Sequence, residues 1–81
     1  MKLSQWRKQH QKTLADVAGS VGISGANPGR SLQRYESGER VAPAIVIDAI
    51  EIATGGQVTA KDMHDVRLAW ERANAAVEAR P

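Results

Sequence analysis

The 81-residue chain has no cysteine and no phenylalanine, and its only aromatic side chains are Trp6, Tyr35 and Trp70. Without cysteine there is no disulfide framework and no thiolate metal site. No apolar run approaches the ~20 residues that a membrane-spanning helix needs, and the N-terminus lacks the apolar core of a signal peptide. A cytoplasmic, nucleoid-associated address with no membrane partner is the expectation. Chemistry-bearing clusters are equally scarce. No Ser–His–Asp set and no carboxylate pair in a plausible pocket appear, so catalysis is not expected. His10 and His64 stand far apart, and His64 beside Asp65 lacks a metal-ligand spacing, so neither metal nor cofactor is expected. Gly19, Gly22, Gly25 and Gly29 invite a phosphate-loop reading. No strand precedes them and no GKS/T follows, so turn and packing roles explain them better.

What is present describes a small folded domain. Hydrophobic residues make up 42% and charged residues 25% of the chain, the balance of a globular protein. The length allows one domain with a modest core, for which self-association is a natural support. The net charge of +2 is unevenly divided. Residues 1–40 carry seven basic side chains against three acidic ones, whereas residues 41–81 carry four against six. A basic N-terminal half suits a polyanion partner, and an acidic C-terminal half would keep away from phosphates.

Periodicity predicts helices throughout. Leu3, Trp6 and His10 have helical spacing, giving a first helix over about Leu3–Gln9. Thr13 with Asp16 three residues on reads as a capping box, followed by the apolar positions Leu14, Val17, Ala18 and Val21 and a stop at Gly22. Asn27 followed by Pro28 is a second start signal, and Ser37-Gly38 the matching stop. A fourth helix runs from near Pro43 to Thr54, before Gly55-Gly56. It is apolar around nearly its whole circumference, which implies burial on more than one side, against another helix or another subunit. Thr59 and Asp62 form a further box-like pair, and Lys61 to Ala79 holds no Gly or Pro, so a long last helix follows. The expected fold class is all-α with five helices.

The second and third helices carry the functional signal. A supporting helix, a glycine turn and a helix with Arg and Gln on its outer face make a helix-turn-helix, which reads the major groove of double-stranded DNA. Leu32 and Tyr35 turn inward and leave Arg30, Ser31, Gln33 and Arg34 on the remaining faces. A guanidinium can bond O6 and N7 of one guanine together, so Arg30 and Arg34, one turn apart, suit base reading; Gln33 suits adenine or a phosphate. Lys2, Lys8, Lys12 and Arg40 are candidate phosphate contacts.

The string GIS…LQRYESG, with TLADVA before it, resembles the Cro/lambda-repressor-like (XRE) helix-turn-helix family over roughly Leu3 to Thr54. PAIVIDAIEIATGGQVTAKDM is similar to the small phage Cro and toxin-associated antitoxin repressors, whose fourth helix ends in a like TGG-x-VT. The resemblance implies a lambda-repressor-like DNA-binding domain at residues 1–56, with residues 57–81 as a C-terminal helical extension of the same domain. It implies base contacts from Arg30, Ser31, Gln33 and Arg34, and backbone contacts from Lys12, Thr13, Ser24, Asn27 and Arg40. It also implies an ion pair between Arg7 and Glu36 that ties the first helix to the end of the third. Three positions depart from the family pattern. The GISGANPG connection is about four residues longer than the usual short turn. Leu14 stands where relatives place a polar phosphate contact, and Glu39 is acidic where many are basic.

Met63, Val66, Trp70, Ala73 and Val77 are spaced three and four apart, a single coiled-coil-like seam. That seam is a candidate homodimer interface. The expected protein is thus a dimeric transcription regulator, a repressor that occludes a promoter. The alternative is an antitoxin or protein-interaction module that binds a protein partner through its apolar C-terminal helix.

Overall fold

A computed structural model describes the backbone of residues 1–78 and the side chains of residues 1–74. The described residues form five α-helices and no strand: α1 (Leu3–Gln9), α2 (Leu14–Ser20), α3 (Pro28–Ser37), α4 (Ala44–Ala53) and α5 (Ala60–Glu78). The chain is all-α, as its periodicity predicts. No helix among the described residues is long and apolar enough to cross a membrane.

Local chemistry sets most of the boundaries. Thr13 caps α2 through a reciprocal box, its hydroxyl accepting from the Asp16 amide while the Asp16 carboxylate accepts from the Thr13 amide, both at 3.1 Å. Asn27 caps α3 by accepting from the Arg30 amide, with Pro28 at the first helical position, where its missing N–H costs nothing. Thr59 and Asp62 repeat the box at the head of α5. The α2 terminus is a Schellman motif. Gly22 adopts φ 76°, the Ile23 amide donates to the Ala18 carbonyl, and Ile23 folds back against the core.

Leu3, Trp6, Val17, Ala18, Val21, Leu32, Ala42, Ile50, Val58 and Met63 make one core, to which every helix contributes. Among the described residues the one buried polar side chain is Thr54, just past the end of α4. The hydroxyl donates to the Ile50 carbonyl at 2.8 Å and accepts from the Val58 amide at 3.1 Å. That arrangement satisfies a buried group and stitches α4 to the approach of α5. Residues 57–74 therefore share the core of residues 1–56: Val58 is fully buried and Met63 is 5% exposed.

Candidate nucleic-acid interface

Helices α2 and α3 pack on each other at their N-terminal ends. Leu32 is fully buried, and a Cβ at Gly29 would lie 3.6 Å from the Ala15 amide nitrogen and 3.7 Å from the Leu14 Cβ. Leu14 is half-buried in this contact. Its apolar nature, unexpected for a phosphate-contacting position, is accounted for by packing.

With that side inward, α3 exposes Arg30 and Gln33 to solvent and leaves Arg34 half-buried beside them. Ser31 sits on the flank, half-buried, its hydroxyl directed to the Asn27 carbonyl at 3.4 Å. The outer stripe continues instead through Ser37, exposed and seven residues past Arg30. Helical arithmetic alone places Ser37 on that stripe, two turns along less about 20°. Among the described residues the ion pairs are Met1–Asp62, Arg7–Glu36, Lys61–Asp65 and Arg67–Glu71. Arg30, Arg34, Arg40 and Lys12 take part in none of them.

The expected backbone contacts are all exposed but differ in the groups they leave free. Lys12, Ser24 and Arg40 project from loops. Thr13 has its amide taken by Asp16, so only its hydroxyl proton remains to donate. That same box holds the Asp16 carboxyl below its usual range, so a negative charge stands at the head of α2. Asn27 commits its carbonyl oxygen to capping and keeps its amide NH2 for a ligand.

The C-terminal end of α3 is fastened from two sides. From α1, Arg7 meets Glu36 in a bidentate pair, Nε to Oε2 and Nη2 to Oε1, each 3.0 Å. The Glu36 carboxylate raises the Arg7 guanidinium above its ordinary value, chiefly through these hydrogen bonds. From α5, Arg67 Nη1 donates to the carbonyls of Gly38 and Glu39, both at 2.9 Å. The same guanidinium lies 4.8 Å from the Trp70 ring centroid. Gly38 has φ 86°, and a Cβ there would fall 2.6 Å from the Val66 carbonyl oxygen. Neither the Arg67 clamp nor the Gly38 contact is visible in local sequence, because both join residues about 29 positions apart.

The α5 seam needs correction. Met63 belongs to the core rather than to a surface, and Val66 and Trp70 are half-buried with Gly38 of their own domain against them. Over Met63, Val66 and Trp70 the three-four spacing marks a stripe that packs on the chain's own core and α3. Ala73 is exposed, and the Val77 side chain lies outside the described residues. Beside this packing runs an open groove of about 780 Å³, bordered by Gln5, Glu36, Asp62, Asp65, Val66 and Trp70.

By architecture the chain is a five-helix, all-α domain in which α3 presents an outer face of basic and amide side chains that make no ion pair among the described residues. No family model matches the chain, and no curated protein or solved structure is significantly similar to it.

Proposed function

We propose that this chain is a sequence-specific double-stranded DNA-binding transcription regulator of the Cro/lambda-repressor-like type, a repressor that acts as a homodimer with α3 in the major groove. The observation that carries the reading is the outer face of α3. Arg30, Gln33 and Arg34 share one side of a capped helix, without ion-pair partners among the described residues, while its inner side is packed on α2 and its end is clamped. Long cationic side chains without a partner on a rigid helix suit bidentate contact with guanine, and an amide suits adenine. Lys12, Ser24, Asn27 and Arg40 flank that face and suit phosphates, which would set its position without reading sequence.

The binding step needs no catalytic group. Positive side chains displace counterions from the duplex, so affinity falls steeply with salt. Two copies of α3 related by a two-fold axis would reach successive major grooves about one helical turn apart, or a multiple of it. Repression follows from occupancy of a promoter.

Selection of random duplexes by the purified protein at physiological salt tests this. The expected result is a palindromic consensus with guanine at positions read by Arg30 or Arg34. No enrichment of any sequence overturns the reading.

The groove beside Trp70 favours a second reading, a module that binds a protein segment along α5. Its border sets Val66 and Trp70 beside Glu36, Asp62 and Asp65, each carboxylate already paired with a cation of the chain, so a mainly apolar segment suits it. Capture of a protein partner that W70A abolishes, with no duplex enriched, would support it.

A further inference from the structure

A second hollow lies where the end of α3, the segment after it, α4 and α5 meet. It holds about 110 Å³, well below the ~300 Å³ at which pockets for drug-sized molecules begin. Space of that size admits a group of a few heavy atoms. Its polar border is Tyr35 from α3, Arg40 from the following segment, and His64 and Arg67 from α5. The rest of the wall is apolar, and Ala42, Ile47 and Met63 seat it on the core. Among the described residues no carboxylate lines it. Yet residues 41–81, which supply most of the lining, carry six acidic side chains against four basic ones.

The donors on this border are largely uncommitted, unlike the paired carboxylates of the groove beside Trp70. Among the described residues, no hydrogen bond or ion pair takes up the Tyr35 hydroxyl, the Arg40 guanidinium or the His64 ring. Arg67 is partly engaged. Its Nε donates to the Glu71 carboxylate and its Nη1 to the carbonyls of Gly38 and Glu39, which leaves Nη2. Those bonds hold the guanidinium plane still, so little side-chain freedom is lost when it meets a ligand. Beside an apolar wall, such groups attract an anion more strongly than they do in open water.

We propose that this hollow binds phosphate, as the free ion or as the terminal group of a small phosphorylated molecule. Arg40 and Arg67 are its charged contacts, and Tyr35 and His64 its further donors. Number and placement select the ligand. Donors from three separate segments suit an anion with oxygens on several sides. A carboxylate offers two oxygens, whereas a phosphate monoester offers three beyond its ester link. The small volume takes the phosphate and leaves any larger body outside. Arg40 is also a proposed contact for the DNA backbone. On that reading, which the site itself does not need, phosphate held by Arg40 lowers the affinity for a duplex.

Titration of the isotope-labelled full chain with inorganic phosphate, followed by amide chemical shifts, tests the site without DNA. Chloride at matched ionic strength is the control. The expected shifts saturate in the millimolar range, centre on Tyr35, Arg40, His64 and Arg67, and are absent with chloride. R40A and H64A, at exposed positions, keep the helical signal. R40A weakens phosphate binding about tenfold, and H64A and Y35F each about threefold, as expected for charged and neutral hydrogen bonds. Glycerol phosphate separates the sources: tighter binding than phosphate supports a small ester, and equal binding supports the free ion. Shifts that never saturate, that chloride reproduces, or that survive unchanged in R40A and H64A overturn the proposal. A response at these amides to a duplex but to neither small phosphate also overturns it, and leaves Arg40 to the DNA backbone.

Discussion

Arg7 and Glu36 close a two-pronged bridge across 29 residues of sequence, each prong 3.0 Å long and both side chains largely shielded from water. The bridge joins the first helix to the last turn of the third. Glu39, three residues on, is exposed and its carboxylate makes no ion pair among the described residues.

E36A should therefore destabilise the fold far more than E39A. Removing one partner leaves a shielded guanidinium without its acceptor, at about 2 kcal/mol for bonds to a charged group. In a chain of this size that lowers the melting temperature by about 8–15 °C. E39A should stay within about 0.5 kcal/mol of the parent. Thermal denaturation followed by circular dichroism checks both, and equal shifts would show that the bridge contributes nothing.

Gly38 and Gly55 provide a controlled comparison. Both adopt positive φ, 86° and 63°, so alanine is strained at either by about 1–2 kcal/mol. A Cβ at Gly55 meets nothing within 4 Å, whereas at Gly38 it strikes the α5 backbone. G38A should cost about 1–3 kcal/mol more than G55A, the excess expected for overpacking. Urea denaturation of the two variants gives that difference directly.

The Asp62 carboxyl is held down to about 2, first by the Met1 ammonium at 2.8 Å and next by the Thr59 amide. A carboxyl depressed in the folded state contributes stability that is fully present above its unfolded value of about 3.9. That contribution is lost as pH falls from about 4 towards 2. The parent's melting temperature should drop more steeply across this window than that of D62N. Parallel slopes would mean that the contacts to Asp62 are not maintained in solution.

For the proposed DNA role, R30A and R34A should each weaken binding to a selected site by about 5- to 150-fold, or ~1–3 kcal/mol, and relax preference at one base pair. K12A should instead weaken binding to all duplexes alike and reduce the slope of log affinity against log salt by about 1. Fluorescence anisotropy over a salt series separates the two patterns. Unchanged sequence preference in both arginine variants would remove α3 from the interface.

Much of this architecture is legible locally. Thr13 with Asp16, Asn27 with Pro28, and Thr59 with Asp62 are contacts over one to three residues, so spacing alone locates the helix starts. Gly22 marks a stop because its left-handed backbone excludes most other residues. The Arg7–Glu36 bridge was readable only through a resemblance, since nothing in the intervening residues joins the two positions. Packing partners were not legible at all. The spacing of Met63, Val66 and Trp70 announces a buried stripe without saying that α3 and the core bury it. The all-round apolar pattern of α4 is equally silent on which isoleucines remain outside. Arg67 eludes sequence reading for a different reason: its acceptors are main-chain carbonyls, which any residue supplies.

Helix α3 is thus held at both ends. Its tail is gripped by α1 and α5, with no room at Gly38 for even one more carbon atom. Its head is capped by Asn27 and laid against Leu14 and Ala15 at Gly29. The disorder that a helix must surrender to meet a ligand in one posture is already surrendered when the protein folds. A ligand of the first turn or of the last meets a preset mould and is accepted or refused by fit.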